Sequence, residues 1–371
     1  MELPSGEELQ KINQVRASCQ NEINALSIKA EDVVGDLRVC RFLRARGGDV
    51  KEATEWFRDF LKWRVESTME TDRLEVVGRS PEDFLSWYSK RNNPYFPNLP
   101  YAGRNSDGHL VMYMRPGMLH ARKFVEHRQI PKEEDAKVIF QMLEWTLWYL
   151  DELSRAEGRM LFVVKVMDFR GLGEGKPVPV FVPEFKTFIM GLAKSMQKFY
   201  CDHDCIFLAC NTNIFFRAMY MVMKLILTRR QASKIRVLGD ITQAAPRASL
   251  LEYMPEAFLP EAYGGTLKQA LNCYPTASEE YIEQWYAERH LVLPEPFSGA
   301  KAAAPEVTGQ EKVVAGSAVE EATPSAATTA PASGEASPSP VSAAPSPVSA
   351  AVVELDQTAA PASSCCFACG R

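Results

Sequence analysis

The chain has 371 residues, a formal net charge of −5 and 46% hydrophobic residues, an ordinary globular composition. This near-neutral balance excludes a strongly basic nucleic-acid-binding protein. It has nine cysteines, an N-terminus without a basic-then-apolar leader and no run of about 18 apolar residues, which predicts a cytoplasmic protein with reduced thiols and no membrane span.

Composition predicts three regions along the chain. Residues 1–70 are predicted to form an N-terminal helical subdomain, and residues 71–295 an α/β domain. Residues 296–371 are rich in Ala, Pro and Ser, and they contain a tandem repeat of Pro-Ser-Pro-Val-Ser-Ala-Ala. Such a composition cannot bury a core, so this tail is predicted to be disordered.

The first predicted elements are helices. Apolar residues recur at helical spacing over residues 7–28, and a second helix over 37–46 ends at Gly47-Gly48. Asp49 is predicted to cap a third helix that has an aromatic buried face. Together these segments predict a small helical bundle.

From residue 109 onward, strand and helix patterns alternate. In chain order they are strand 109–114, helix 134–153, strand 161–168, helix 185–199, strand 206–210, helix 214–227 and strand 235–238. Strands joined by helices form βαβ units, so the fold class is predicted to be α/β with a mostly parallel sheet.

Two motifs resemble chemical sites but lack essential residues. The glycine-rich loop would need Gly where Arg170 stands, and Ser or Thr where Pro177 stands, to hold a phosphate. Cys201, His203 and Cys205 have the spacing of metal ligands, but a structural zinc site needs four, and buried thiols are the simpler interpretation. Without a paired acid–base or nucleophile constellation, we predict neither an enzyme nor a metal or other cofactor.

The segment 214–227 is apolar except for a narrow stripe that includes Arg217 and Lys224. Its alternating methionines suit an adaptable apolar wall, and a basic stripe beside an apolar face suits lipid headgroups. A core helix and a helix in contact with a ligand or a membrane are both consistent with this pattern.

Lys165 lies in the middle of a predicted buried strand. Buried lysine side chains need a partner, because removing an ammonium group from water is costly. Either a carboxylate pairs with Lys165, or the side chain lines a cavity that holds an anion.

Several segments together resemble the CRAL-TRIO family, in particular the secretory-pathway phosphatidylinositol/phosphatidylcholine transfer proteins. The resemblance covers about residues 35–270. It rests on Arg41-Phe42-Leu43-Arg44-Ala45-Arg46, Asp107-Gly108-His109, Val166-Met167-Asp168-Phe169-Arg170-Gly171, Ser233-Lys234-Ile235 and Tyr263-Gly264-Gly265.

The resemblance implies a CRAL-TRIO fold, in which a sheet floor and covering helices surround one apolar lipid cavity closed by a mobile gate helix. By position, the gate helix is residues 214–227. Its implied members are Ile214, Phe215, Arg217, Met219, Val222, Lys224 and Leu225.

The resemblance also implies headgroup-binding residues. Asp202 and Lys234 stand where the family has an acid and a lysine beside the gate, Arg46 matches an arginine of the helical cap, and Gln231 replaces a threonine. Val163 and Lys165 stand in place of the family's Ser and Thr at the choline-lipid site. An anionic inositol lipid is therefore expected rather than phosphatidylcholine.

The predicted function is that of a lipid-binding or lipid-transfer protein. It would take up a phospholipid, of the phosphoinositide class, and exchange or present it at the cytosolic face of membranes as a monomer. The alternative is a membrane-recruited signalling or scaffold protein that uses the same domain as an interaction module without net lipid transfer.

The C-terminus ends in a cysteine cluster. Cys365, Cys366 and Cys369 follow a predicted disordered tail, and the residue fourth from the end is Ala368, which excludes a prenylation box. We predict S-palmitoylation, because two acyl chains hold a protein at a membrane more stably than one. An unmodified exposed cluster is the alternative.

Overall fold

The structure is a computed structural model that describes residues 2–126, 129, 131–225, 227, 229–259, 261, 265–266 and 286–288, with only the backbone described at 229, 231 and 258. The predicted tail 296–371, the predicted acylation sites Cys365, Cys366 and Cys369, and the Gln231 side chain lie outside this description. They remain predictions.

The described chain begins with helices and continues as an α/β fold. Its α-helices are α1 (Gly6–Ser18), α2 (Gln20–Ala25), α3 (Glu31–Val34), α4 (Asp36–Ala45), α5 (Val50–Glu66), α6 (Met69–Asp72), α7 (Pro81–Arg91), α8 (Ala121–Glu126), α9 (Lys132–Glu157), α10 (Pro183–Phe199), α11 (Ile214–Met223), α12 (Arg229–Ser233) and α13 (Ala244–Leu251). Its strands are β1 (Asn98–Leu99), β2 (Leu110–Met114), β3 (Val163–Asp168), β4 (Asp204–Cys210) and β5 (Ile235–Val237).

Side-chain caps begin α1 and α5, and the cap at Asp49 is the one that the sequence predicts. Ser5 and Glu8 form a reciprocal capping box at α1, and the Asp49 carboxylate accepts a hydrogen bond from the Glu52 backbone N–H at the start of α5. The single helix predicted over residues 7–28 is wrong in one respect. It breaks into α1 and α2 at Cys19, whose backbone is non-helical and whose thiol donates to the Thr54 carbonyl of α5.

The five strands form one sheet in the order β1-β2-β3-β4-β5. β1 is antiparallel to β2, and the other neighbours are parallel, which confirms the predicted mostly parallel α/β sheet. Side chains alternate between its faces. Val164, Val166 and Leu208 pack in a core with residues of α13 and the chain after it, whereas Lys165 and Met167 point to the opposite face.

The helix predicted over residues 214–227 is shorter in the structure. α11 ends at Met223, and the Leu225 N–H bonds the Val222 carbonyl in a tight turn instead of continuing the α-helical ladder. No helix among the described residues is long and apolar enough to cross a membrane.

A buried ionic cluster joins the N-terminal helices to the α/β part. The Glu144 carboxylate of α9 accepts hydrogen bonds from Arg64 (2.8 Å), Arg73 (3.0 Å) and the Tyr200 hydroxyl (2.8 Å). Burial would raise the pKa of Glu144, but the two arginines outweigh it and hold that pKa at about 2. The cluster thereby fixes the chain at the end of α10, where the residues of the site begin.

Candidate functional site

A cavity of about 310 Å³ lies against one face of the sheet. Met112, Lys165 and Phe207 are neighbours across β2, β3 and β4, and all three line it. The cavity's walls come from α9, α10 and α11, through residues such as Ile139 and Leu192. Its position on the sheet follows from strand alternation, because Lys165 and Met167, two residues apart on β3, both face this space.

The lining is largely apolar and rich in flexible side chains. Methionine is unbranched and polarisable, so it adapts to ligands of irregular shape. The methionines among the described lining residues are Met112, Met114, Met142, Met167, Met190, Met196, Met219 and Met223. Such a wall favours an aliphatic ligand over a rigid polar one.

One end of the cavity is polar, and a single chain segment between α10 and β4 builds most of it. Its consecutive lining residues are Tyr200, Cys201, Asp202, His203 and Asp204. Lys234 and Arg230 line the same space from the chain around α12.

Asp202 and Lys234, which the resemblance places beside the gate, are in direct contact. The Lys234 ammonium lies 3.0 Å from the Asp202 carboxylate, and it also donates to the Asp204 carbonyl at 2.5 Å. Arg230 donates two further bonds to the same carboxylate, at 3.0 and 3.2 Å. The Asp202 side chain is only 2% exposed, whereas Arg230 is 45% exposed. The pair is therefore a buried part of the cavity rather than a surface ion pair.

Two arginines of α4 hold this segment in place. Arg38 donates to the Phe199 carbonyl at 3.0 Å, and Arg41 bridges the carbonyls of Asp202 (3.0 Å) and Leu161 (2.9 Å). Asp202 has a positive φ of 53°, which is uncommon for a residue other than glycine. The arginine bonds stabilise this conformation and direct its carboxylate towards Lys234.

For Lys165 the structure shows the carboxylate partner, the first of the two sequence alternatives, and it also places the side chain against the cavity. Its residue is 6% exposed, and its ammonium contacts the Asp204 carboxylate at 3.0 Å and His203 Nε2 at 3.3 Å. It also lines the cavity. The strand lysine is thus paired with a carboxylate and faces a ligand-sized space.

His203 accepts from Lys165 as a neutral ring. Its Nδ1 lies 2.5 Å from the Tyr200 carbonyl, which can only accept, so Nδ1 carries the proton and Nε2 is free to accept. Burial lowers the pKa of His203 to about 4, against the opposing effect of Asp204. Burial favours the neutral acid for Asp204, yet its pKa is lowered because His203 and Lys165 face it.

The motif that resembles metal ligands is used differently. His203 bonds Tyr200 and Lys165, and burial raises the pKa of the Cys201 and Cys205 thiols to about 12. Both cysteines therefore remain protonated at neutral pH, when metal ligation requires thiolate.

Arg46, the predicted cap arginine, lies at the C-terminal end of α4 and lines the cavity. Its guanidinium carbon is 3.5 Å from the centre of the Trp56 ring, a cation–π contact that orients the side chain. The sequence pattern places Trp56 only on a buried aromatic face. Its link to the site depends on a contact between helices that spacing alone does not show.

α11 presents different faces to the cavity and to solvent. Met219, Val222 and Met223 line the cavity, as the predicted gate requires of its inner side. Arg217 and Lys224 are exposed, as predicted. Large apolar side chains are exposed on it and in the turn after it as well: Ile214 (75%), Phe215 (40%), Met221 (67%) and, after the helix, Leu225 (80%).

The glycine-rich loop packs against the start of α11. Gly173 has a φ of 79°, and a Cβ there would overlap the Phe215 ring. Asn213 caps α11 through its side-chain oxygen and donates to the Leu172 carbonyl at 2.9 Å. The loop thus holds the N-terminal end of α11.

Val163 and Gln231 are the implied site residues that the structure does not place in the cavity lining. Val163 is fully buried and is not among the lining residues. Gln231 is in α12, and its side chain lies outside the description. Arg230, one residue earlier, bonds Asp202, and the Arg229-Arg230 pair was the available sequence signal.

Two histidines with lowered pKa values, the buried His203 and the half-buried His120, predict that acid weakens the fold. Below pH about 6.5 the unfolded chain takes up protons at His203 and His120, whereas the folded chain resists until about pH 4. The free energy of unfolding should therefore fall as the pH drops through this window, by on the order of 2–3 kcal/mol for His203. Urea denaturation at pH 7, 6, 5 and 4 measures it.

His203→Asn should remove the contribution of His203 to the pH dependence of the unfolding free energy and leave the contribution of His120. The matched variant His120→Asn should do the reverse. Glu8 and Glu144, whose pKa values fall from 4.5 in the unfolded chain to about 2 in the folded one, add to the slope only below about pH 5, so the histidine share is read between pH 7 and 5. An unchanged slope in His203→Asn would contradict the neutral, buried state of this ring.

Comparison with known proteins agrees with this geometry. Residues 98–265, from the start of β1, match the family model of the CRAL/TRIO domain. This segment lies inside the predicted 71–295 domain.

Three curated relatives are similar over most of the folded part. The SEC14 cytosolic factor of Candida glabrata is 25% identical over 255 residues, which cover 66% of this chain and 75% of that protein. The Sec14 cytosolic factor of Schizosaccharomyces pombe is 24% identical and covers 67% and 82%. The phosphatidylinositol/phosphatidylcholine transfer protein SFH12 of Arabidopsis thaliana is 23% identical and covers 62% and 40%. The chain is therefore similar to CRAL-TRIO proteins, and its residues 98–265 match the CRAL/TRIO domain.

Proposed function

We propose that this protein binds an acidic phospholipid, phosphatidylinositol in the first place, and exchanges or presents it at the cytosolic face of membranes without catalysing a reaction. The observation that carries the proposal is the buried Asp202–Lys234 pair at the polar end of an apolar cavity. The names of the relatives support it, because one is a phosphatidylinositol/phosphatidylcholine transfer protein and others are cytosolic factors.

The charges at the polar end favour an anion. Four cationic side chains and two carboxylates line it: Lys165, Lys234, Arg230 and Arg46, with Asp202 and Asp204. The balance is a net charge of +2, and apart from the 45% exposed Arg230 these side chains are at least half-buried, where charges interact more strongly than in bulk solvent. A phosphodiester lowers this excess, whereas a choline group adds a positive charge beside it.

Asp202 and Lys234 suit the two parts of an inositol headgroup. The Lys234 ammonium can donate to phosphate oxygens, and the Asp202 carboxylate can accept hydrogen bonds from sugar hydroxyls. Hydrogen bonds that involve a charged group are stronger than those between neutral groups. Arg230 and Lys234 already orient the carboxylate, so little ordering is needed when the headgroup binds.

The acyl chains require a cavity that opens at the membrane. Each methylene contributes about 0.8 kcal/mol when buried, so an 18-carbon chain would lose on the order of 10 kcal/mol by entering water. At about 310 Å³, the cavity is at the lower end of small-molecule pockets, and a two-chain phospholipid is larger than the ligands such pockets hold. We therefore propose that α11 moves outward to admit the lipid.

The outer face of α11 is suited to a bilayer surface. Ile214, Met221 and Leu225 expose apolar side chains next to the cations Arg217 and Lys224. A helix with this combination binds at the interface between headgroups and acyl chains. The same helix lines the cavity, so contact with a membrane can be coupled to opening.

Lys234→Ala tests the headgroup site. Loss of one charge-assisted hydrogen bond, typically 1.5–3 kcal/mol, should lower the rate of phosphatidylinositol transfer between vesicles by about 10- to 100-fold. Thermal stability should change little, since Arg230 still pairs with Asp202. Lys198→Ala is the matched control, because Lys198 is 43% exposed and pairs with Asp59 away from the lining. An equal loss of transfer for every lipid class would assign Lys234 a structural role instead.

Met221→Asp together with Leu225→Asp tests the membrane face of α11. Both side chains are mostly exposed, at 67% and 80%, so the fold should keep its stability. Vesicle binding should weaken at least about tenfold, because each side chain loses its burial in the bilayer. Leu74→Asp, at a site 59% exposed outside α11, is the control. Vesicle binding that is equally strong in the double variant and the wild type would exclude α11 from membrane contact.

A further inference from the structure

The floor of the cavity holds a cation that is separate from the headgroup pair. Lys165 projects from the middle of β3, and its side chain is 7% exposed, against 15% for Lys234 and 45% for Arg230. Its lateral neighbours on the sheet are Met112 and Phe207, with the Phe207 ring centre 5.3 Å from the ammonium. The ammonium therefore lies deeper than the rim, among apolar side chains.

Lys165 has a hydrogen-bond donor to spare. An ammonium carries three N–H groups. Within the described part of the chain, its acceptors are the Asp204 carboxylate and His203 Nε2. The tautomer of His203 is fixed by the Tyr200 carbonyl, so the ring continues to accept rather than donate. The third N–H is available to an oxygen atom that enters the cavity.

The size of the cavity favours a ligand with one chain. A volume of about 310 Å³ suits a molecule of drug-like size, such as a fatty acid, without any movement of α11. A two-chain phospholipid is larger than a fatty acid, because it has a second acyl chain and a headgroup. The flexible methionines of the wall can follow a single bent chain.

We propose that the cavity, with α11 in the position described, also binds a single-chain lipid acid, with the acid group on Lys165 and the chain among the methionines. A free fatty acid is the simplest such ligand, and a lysophosphatidic acid presents the same chemistry through a phosphate. This site goes beyond the proposed phospholipid function, because it uses the floor lysine and needs no outward movement of α11.

The local charges accommodate a further anion beside Asp204. Lys234 lies 2.5 Å from the Asp204 carbonyl, and Arg230 and Arg46 line the same end of the cavity. Since the lining there has a net charge of +2, a monoanion on Lys165 leaves it at +1. The cationic side chains thereby compensate the negative charge of the acid inside an apolar space. A neutral ester of the same chain has no charge to compensate, so it gains no affinity from these side chains.

Calorimetric titration of the delipidated full-length chain tests the site with three probes: oleate, methyl oleate and oleoyl lysophosphatidic acid. Oleate should bind about 10- to 100-fold more tightly than its methyl ester, the effect of one charge-assisted hydrogen bond. Comparison of the carboxylate with the phosphate shows which acid the site prefers. Equal affinity for oleate and methyl oleate would overturn the proposal.

Lys165→Met combined with Asp204→Asn tests the residue itself. Removing both charges avoids leaving a buried carboxylate unpaired, and circular dichroism checks that the variant folds. Oleate affinity should fall about 10- to 100-fold, while methyl oleate affinity should stay within about twofold. Lys198→Met is the matched control, which should retain oleate binding, because Lys198 is 43% exposed and lies outside the cavity lining. If the double variant folds and binds oleate as the wild type does, Lys165 is not the acid's partner.

The two functions can fail separately. If phosphatidylinositol transfer depends on Lys234 but oleate affinity does not depend on Lys165, only the proposed fatty-acid site is wrong. If oleate affinity depends on Lys165 but the protein transfers no phospholipid, only the proposed transfer function is wrong.

Discussion

The site depends on how residues 200–204 are held. The Glu144 carboxylate bonds the Tyr200 hydroxyl, and Arg38 and Arg41 bond the carbonyls of Phe199 and Asp202. All three anchors are buried, and two of them come from the N-terminal helices. Removing one partner from a buried ionic cluster typically costs about 3–5 kcal/mol, so these anchors constrain the segment strongly. The helical part of the chain is therefore a component of the ligand site.

From this constraint follow the roles of three consecutive residues. Asp202 faces Lys234 and Arg230 at the rim, His203 turns its ring towards the floor, and Asp204 pairs with Lys165. The segment thus supplies acceptors to cations on β3 and around α12. A polar end of this kind orients a ligand, while the methionine-rich wall tolerates variation in its chain.

Much of the fold could be predicted from local pattern. The alternation of strands and helices predicts the parallel sheet, and the position of Lys165 in an apolar strand indicates that its ammonium needs a partner. The contact between Asp202 and Lys234 joins residues 32 positions apart, and only the family resemblance brings them together. Hydrophobic periodicity does not predict such a contact, because the contact depends on how strands β4 and β5 are placed.

Other features of the site also depend on tertiary contacts. His203 has the spacing of a metal ligand beside two cysteines, and burial, the interpretation preferred from the sequence, decides its chemistry together with the Tyr200 carbonyl. The resemblance assigns Val163 to the ligand site, whereas its side chain is fully buried and is not among the cavity-lining residues. The end of α11 at Met223 also reflects backbone bonding that an apolar run does not reveal.

A structure of the protein bound to phosphatidylinositol is the most direct measurement, because it locates the headgroup. We expect a phosphate oxygen within about 3 Å of the Lys234 ammonium and sugar hydroxyls on Asp202. A headgroup bound outside the cavity, or beside Arg115 after β2, would contradict the assignment of residues 200–204 as the ligand-binding segment.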